Sequence, residues 1–553
     1  MTTPVRELAD RVFARRLDEE WYLRLRRGLP IERLRVESEE TWEQDARFAQ
    51  GVLTELRARP PRDEDDRLTA GYLENLLGSW VSRTELPLLG FHVTPYQTFL
   101  LSRALQLVFP AHQGSGRAYI SLVEDLREQL CQLAARLTRQ REAGILVPRP
   151  ALPGVRESLR RVRDAAAVGL PSHAPAAVRT DVERLVTREV LPSFEGLLAL
   201  LDQSYERQAP EAVGMAQYPG GEEGYRSLVR QATASDLTPD ELHQLGLDQV
   251  AQLAGKMAEA RAHMGFVGTE AEFHARLAVD PRLHATSPDE VEALFARHMA
   301  RLEPLIGEYF SVLPKAPYGL ARLEPQAEAA VTYGYYDPPN QAMPVGRYRW
   351  NGANLSDKSL LTYAALIFHE LAPGHHFHLA RQAENEALPD LRREAIDIGA
   401  FNEGWAEYAA GLGWEMGLYD EPLDAYGRLV HERFTAQRLV VDTGMNLMGW
   451  SLADGATYMR ANTTESDDQI STEVLRYATD IPAQALAYRA GFVELDRLRH
   501  KTQEALGGAF DVRDFHEHVL GPGALPFPVI EGHLDRWVAT CQGAGTPVTD
   551  VSG

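Results

Sequence analysis

Apolar residues recur at helical spacing along most of the chain. Stripes of this kind run through 119–141 and 178–203, and prolines punctuate the pattern at Arg59-Pro60-Pro61, Val147-Pro148-Arg149-Pro150 and Leu170-Pro171. Thr238-Pro239-Asp240-Glu241 and Ser287-Pro288-Asp289-Glu290 each place a hydroxyl N-cap before a proline, with a glutamate three residues on, so two helix starts are predicted. Strand-type composition enters only at 330–336 and 346–351, which are rich in tyrosine, valine and tryptophan. Helical spacing then resumes over 390–417, 422–450, 451–462 and 482–507. The expected fold is mainly α, with many helices and a small β-ribbon.

Composition narrows the classes. With 553 residues and 44% hydrophobic content the chain can bury a large core and suits two to four domains by length. Its 57 basic and 79 acidic residues give a net charge of −22, which disfavours nucleic acid and anionic membranes as partners. Cys131 and Cys541 are far apart and neither belongs to a metal-spaced pair, so no disulfide framework is implied. The first residues lack the apolar core of a signal peptide and no run approaches 18 apolar residues. A soluble, cytoplasmic protein is expected. Residues 1–210 read as an N-terminal helical region without a catalytic constellation, where His92, Tyr96 and Trp80 suit a core better than a site. Residues 211–553 carry the chemistry.

That chemistry centres on Phe368-His369-Glu370-Leu371-Ala372-Pro373-Gly374-His375-His376. Neutral imidazoles and carboxylates suit zinc, and a glutamate beside the first histidine suits a general base for attack by water that the metal activates. The familiar zinc-protease helix spaces its histidines at i and i+4, one turn apart. Here Pro373 holds the fourth position. On a straight helix His375 would point away from His369, and His376 would return to its face about 10.5 Å along the axis. Proline removes a donor and glycine permits unusual dihedrals, so a bulge is expected, with His375 favoured as ligand and His376 in reserve. The bland alternative is a histidine-rich helix end that caps carbonyls.

A second stretch, Phe401-Asn402-Glu403-Gly404-Trp405-Ala406-Glu407, lies 28 residues after His375 in the predicted helix 390–417. Glu403 facing the histidines would complete a His, His, Glu set with one open position, the catalytic rather than the structural arrangement of zinc. Glu403 and Glu407 at i,i+4 also fit a solvated acidic face, but Gly404 and Trp405 inside the same turn do not suit an ordinary surface helix.

These motifs resemble the bacterial domain-of-unknown-function 885 family, grouped with the glutamate-type (gluzincin-like) zinc peptidases. The likeness continues upstream in Leu237-Thr238-Pro239-Asp240-Glu241-Leu242-His243 and downstream in Arg438–Gly444, Gly449-Trp450-Ser451 and Pro482-x-Gln484-Ala485-Leu486-Ala487-Tyr488. The resemblance implies a two-lobed helical architecture with a central cleft, partly formed by residues 1–210, and a strand edge beside the metal helix that holds extended substrate. It implies one Zn²⁺ per chain on His369, His375 and Glu403, Glu370 as general base, and hydrolysis of short or unfolded peptides. Tyr477 and Tyr488 are candidate donors to the oxyanion, Tyr488 first because it lies in the matched stretch. Arg438 and Asp442, spaced i,i+4, are expected as a buried pair behind the ligands. One departure stands out: Asn446 occupies a position where the family usually has histidine. The alternatives are a zinc amidase acting on a small N-acyl compound, a peptide-binding protein without turnover, and a di-metal helical bundle, which lacks its Glu-x-x-His pair here.

Overall fold

Helix starts follow their local chemistry. The Thr238 hydroxyl accepts from the Glu241 N–H at 3.2 Å while the Glu241 carboxylate accepts from the Thr238 N–H at 2.8 Å, the reciprocal pair expected. The Ser287 hydroxyl also accepts from Glu290, but Glu290 turns back to Thr286 instead. The computed structural model describes residues 3–323, 328, 334–340 and 343–544, and the chain is mainly α, 69% helical.

The N-terminal part contains α1 (Pro4–Glu19), α2 (Glu39–Arg57), α3 (Glu64–Ser82), α4 (Pro95–Leu107), α5 (Gly116–Glu142) and α6 (Leu152–His173). Further on come α7 (Pro239–His263), α8 (Tyr363–Glu370), α9 (His375–Glu384), α10 (Gly399–Gly411), α11 (Pro422–Leu447) and α12 (Leu486–Leu506). Leu170-Pro171 does not break a helix: Pro171 lies in the last turn of α6, where few backbone bonds remain to lose.

Two large apolar cores divide the molecule. One joins Ile31 to residues between Phe91 and Tyr218 and is built on α5 and α6. The other joins α1, α2 and α3 to the helices around the histidine motif, including Phe368, Phe377, Phe401 and Trp405. The boundary expected near residue 210 is therefore not where the core divides, because the first three helices pack on the C-terminal part. Trp80 is half-buried against the core beside Phe48, and His92 is half-buried against Trp42.

Beside α9 lies a three-stranded sheet of β1 (Tyr318–Arg322), β2 (Gly334–Asp337) and β3 (Gly346–Trp350), in the order β1-β3-β2. β1 runs parallel to β3, with Tyr318 opposite Gly346, and β2 runs antiparallel, with Gly334 opposite Trp350. Tyr348 and Trp350 alternate into the core. The ribbon predicted at 330–336 and 346–351 supplies two of these strands, residues 330–333 lying outside those described. β1 escapes the sequence pattern because Tyr-Gly-Leu-Ala-Arg has no β-branched residue.

The helix expected over 390–417 is split. A short turn, Asp390–Arg393, precedes α10. Arg392 is buried and its guanidinium donates to Asp65 at 2.6 Å, Thr69 at 3.1 Å and the Pro522 carbonyl at 2.5 Å, which pulls this segment onto α3. Tertiary bonds of this strength override local helix propensity.

Candidate metal centre

The histidine motif does not bulge within one helix; it breaks between two. α8 ends at Glu370, α9 begins at His375, and the Ala372–Pro373 peptide between them is cis. The turn admits only glycine at 374, since a Cβ there would stand 1.9 Å from the His369 carbonyl oxygen. Trp405 on α10 fastens the turn by donating its indole N–H to the Pro373 carbonyl at 3.0 Å. α10 in turn lies directly against α12, where a Cβ at Gly404 would meet the Gly491 backbone at 2.4 Å. Gly404 and Trp405 thus serve helix approach and turn anchoring, which explains why this turn does not read as a surface helix.

Breaking the helix turns His375 back toward His369. Their rings meet edge to face at 4.8 Å, and each Nε2 lies 3.5 Å from the same atom, Glu403 Oε2. The two rings and the carboxylate offer one ligand atom each, all within 4.8 Å of one another. Glu403 Oε2 is buried and accepts no hydrogen bond among the described residues. A buried carboxylate oxygen without a partner is costly unless a cation meets it. Donors held about 2.0–2.1 Å from a tetrahedral ion stand roughly 3.4 Å apart, so the observed spacings suit zinc.

His376 faces the other way. The Tyr336 hydroxyl donates to its Nδ1 at 2.7 Å and its Nε2–H donates to the Ala316 carbonyl at 3.0 Å, so both nitrogens are committed to the sheet side. It does not join His369, His375 and Glu403, the set for which it stood in reserve as a ligand. Its role is to seat β2 and β3 on α9, and Gly346 is required there because a Cβ would meet the Tyr336 hydroxyl at 2.2 Å and His376 Nδ1 at 2.6 Å.

The i,i+4 spacing of Glu403 and Glu407 presents two carboxylates to the two nitrogens of one imidazole. While Glu403 faces His369 Nε2, Glu407 Oε1 lies 3.0 Å from His369 Nδ1. Glu407 is buried and also contacts His431 Nε2 at 2.7 Å and Arg428 Nη1 at 3.1 Å. The approach is close but not aligned as a hydrogen bond; a carboxylate this near the far nitrogen still favours the tautomer whose Nε2 lone pair faces a metal. The sequence pointed to Glu407 only as an acidic neighbour and missed Arg428 and His431 on α11. A signal was present in the charged residues Arg428, Glu432, Arg433, Arg438 and Asp442 spaced along an otherwise apolar helix.

Electrostatics agree with this arrangement. Burial resists a charged His369 ring, but Glu403 and Glu407 outweigh it and hold the ring up to about 10. Burial also resists charge on Glu403, yet the His375 and His369 rings keep its carboxyl well below the ordinary range. The pocket centre therefore favours positive charge. Glu370 behaves oppositely: burial pushes its carboxyl up, the imidazoles oppose, and Glu403 and Glu407 add to the rise. It accepts no hydrogen bond among the described residues, so a basic oxygen is left available.

Tyr488, on α12, stacks beside His369 with ring centroids 6.2 Å apart and planes 12° from parallel. Burial pushes its hydroxyl up to about 12, so it stays protonated as a donor. Tyr477 is tied elsewhere, accepting from Arg438 Nε at 2.8 Å and donating to Glu473. The expected Arg438–Asp442 pair does not form. Arg438 turns to Tyr477 and Glu473, while Asp442 accepts from the Tyr225 hydroxyl at 2.6 Å and the Ala483 N–H at 3.1 Å. Asn446 is wholly buried: its amide donates to the Asp442 and Tyr477 carbonyls at 3.0 and 2.9 Å, and its oxygen accepts from Met215 N–H at 3.2 Å. It is a staple between segments. Tyr96, assigned to the core, is instead 40% exposed on the first turn of α4, where its N–H donates to Asp480 at 2.9 Å.

Fold and site together define an α-helical protein with a two-histidine, one-glutamate cluster backed by a buried second carboxylate. The chain belongs to the family described as bacterial protein of unknown function, domain of unknown function 885, whose profile matches residues 23–534. No curated protein matches it. Its fold is shared with a crystal structure of a candidate lipoprotein from Colwellia psychrerythraea, at 22% identity and a TM-score of 0.86, over 98% of this chain and 100% of that one. A candidate lipoprotein of unknown function from Shewanella oneidensis is also similar, at 14% identity and a TM-score of 0.77, over 96% and 99% of the two chains. Among the described residues no helix is long and apolar enough to cross a membrane.

Proposed function

We propose that the protein is a zinc-dependent hydrolase of peptide bonds in short or unfolded peptides. The observation that carries this reading is the convergence of His369 Nε2 and His375 Nε2 on one unpartnered, buried oxygen of Glu403. A zinc ion held there would polarise the scissile carbonyl and make water a nucleophile near neutral pH. The protein's own groups supply the rest. Glu370, its carboxyl raised by burial, takes the proton from the attacking water and passes it to the leaving amine. Tyr488 donates its hydroxyl to the developing oxyanion. Glu407 orients His369, and Arg428 keeps Glu407 ionised.

Substrate would lie between α4 and β2, in the cleft that the reading requires. Arg103 of α4 donates to the Tyr335 hydroxyl at 2.6 Å and lies 3.6 Å from Asp337, while Tyr336 of β2 stacks 6.4 Å from His375. β2 is an edge strand, and an edge strand can pair with an extended peptide.

The test is metal content and cleavage of a peptide library by wild type, Glu403→Ala and Glu370→Gln. One zinc per chain, lost in Glu403→Ala and kept without activity in Glu370→Gln, is the expected result. Failure to retain zinc after reconstitution would overturn the proposal, and zinc with turnover of small N-acyl compounds alone would replace it with an amidase.

A further inference from the structure

Near the cluster, one charged group has no task in the reading above. The carboxylates are committed. Glu407 serves His369, His431 and Arg428, Glu473 serves Arg438, Arg476 and Tyr477, and Asp480 accepts the Tyr96 N–H at 2.9 Å. None of these is free to receive the ammonium of a peptide N-terminus. The spare group is a cation.

Arg438 is closed off: it is buried, bonded to Tyr477 and Glu473, and its face covers the Tyr488 ring at 4.7 Å. Arg476 differs. Its side chain is 30% exposed; Nη2 donates to Gln484 Oε1 at 2.9 Å, Nη1 lies 3.4 Å from Glu473, and Nε has no partner among the described residues. Nε is buried, but each Nη carries two N–H groups and donates one, so one N–H on each is left for a carboxylate. Glu473 joins Arg476 to Arg438, whose guanidinium covers the ring of Tyr488, the tyrosine stacked on His369. The exposed Tyr96 is held beside the Arg476–Asp480 turn by its N–H bond to Asp480, and its hydroxyl has no partner among the described residues.

We propose that Arg476, assisted by the Tyr96 hydroxyl, forms a carboxylate subsite that receives the free C-terminus of a peptide substrate. This rests on the peptidase reading and gives it a direction along the chain. Tyr488 stands between His369 and the Arg438–Glu473–Arg476 group, so the subsite would take the end of a short stretch, roughly one or two extended residues at about 3.5 Å each. The expected products are a C-terminal amino acid or dipeptide.

The test compares peptides identical except for a C-terminal acid or amide, with wild type, Arg476→Gln and Tyr96→Phe, zinc content being measured for each. Wild type is expected to prefer the acid by about 10- to 100-fold in kcat/KM, the worth of a charge-assisted hydrogen bond. Arg476→Gln should raise KM for the acid and leave the amide unchanged, and Tyr96→Phe should do so more weakly. An amidated peptide ending in glutamate identifies the source of the carboxylate: if it is cleaved as well as the acid, the subsite reads a side chain. Equal cleavage of acid and neutral amide by wild type refutes the subsite alone. So does equal slowing of both in an Arg476→Gln protein that keeps its zinc. Zinc-loaded wild type that cleaves no peptide refutes the peptidase reading and the subsite with it. Should Arg476→Gln fail to fold, the wild-type and Tyr96→Phe comparisons decide.

Discussion

α5 and α11 are of nearly equal length, 27 and 26 residues, yet they bury themselves in opposite ways. α5 turns mainly an apolar stripe inward, Tyr119, Leu122, Val123, Leu126, Leu130, Leu133 and Leu137, with Asp125, Arg136 and Gln140 its buried polar residues, and leaves its other side wet. α11 is buried almost all round from Tyr426 to Asn446, and what it buries includes Arg428, Glu432, Arg433, Arg438 and Asp442. Each of these finds a partner: Arg428 has Glu407 and Glu432, Arg433 has Glu270, Arg438 has Glu473, and Asp442 has Tyr225. Replacing buried ion pairs with apolar side chains is often neutral or stabilising, so such a helix is poorly explained by stability alone. Two of its side chains, Arg428 and His431, hold Glu407 behind the His369–Glu403 cluster. The apolar stripe of α5 is a scaffold whose positions can be exchanged by volume, whereas the buried positions of α11 are largely fixed by charge.

The sharpest separation of the two is expected in turnover. Glu370→Gln, at the cluster, should lower kcat by about 10²- to 10⁴-fold while zinc stays bound, as for loss of a general base. Leu126→Ala, in α5, should cost about 2–5 kcal/mol in urea unfolding but leave kcat within a few-fold. If Leu126→Ala slows turnover as much as Glu370→Gln, the division between the two regions fails.

Next in size is the charge that backs the cluster. Arg428→Met should destabilise by about 3–5 kcal/mol, because it strands Glu407 and Glu432 in the interior. It should also weaken zinc affinity about 10- to 100-fold through Glu407, read by competition with a chelator. A stable variant with unchanged affinity would show that Glu407 does not depend on this arginine.

A pH measurement probes the same helix. Burial pushes the Asp442 carboxyl up to about 7, against the hydrogen bonds from Tyr225, Ala483 and Asn446. The folded state therefore binds a proton that the unfolded state has released. Between the unfolded carboxyl range and about pH 7 this group makes stability fall as pH rises, by at most about 4 kcal/mol at 1.36 kcal/mol per pH unit. Urea midpoints of wild type should decline over that window and those of Asp442→Asn should decline less. Parallel curves would mean that the hydrogen bonds keep Asp442 ionised throughout.

How much of this was legible depended on whether a neighbour in sequence or in space did the deciding. His369, Glu370 and Glu403 announce themselves, because residue type and spacing carry the chemistry. His375 against His376 was not decidable, since the choice depends on the chain reversing at Pro373-Gly374 and on Trp405 pinning that reversal from another helix. Arg438 and Asp442 looked like a pair by spacing, yet each is drawn away by a partner 35 to 217 residues distant in sequence. The division of the cores was hidden for the same reason: Arg392 reaching Asp65 is invisible in a linear pattern.

Asn446 gives the smallest expected effect and the cleanest test of what α11 is for. As a transition-state donor replacing the family's usual histidine, it would have to turn its amide toward the cluster. Its N–H groups instead reach the Asp442 and Tyr477 carbonyls, and its oxygen takes the Met215 N–H. Asn446→Ala should therefore cost about 1–3 kcal/mol, the penalty for leaving buried groups unpaired, while kcat/KM on a peptide substrate stays within a few-fold. A fall of 10²-fold at unchanged stability would place the amide in the reaction. An unchanged rate would assign oxyanion stabilisation to Tyr488, whose ring already stands beside His369.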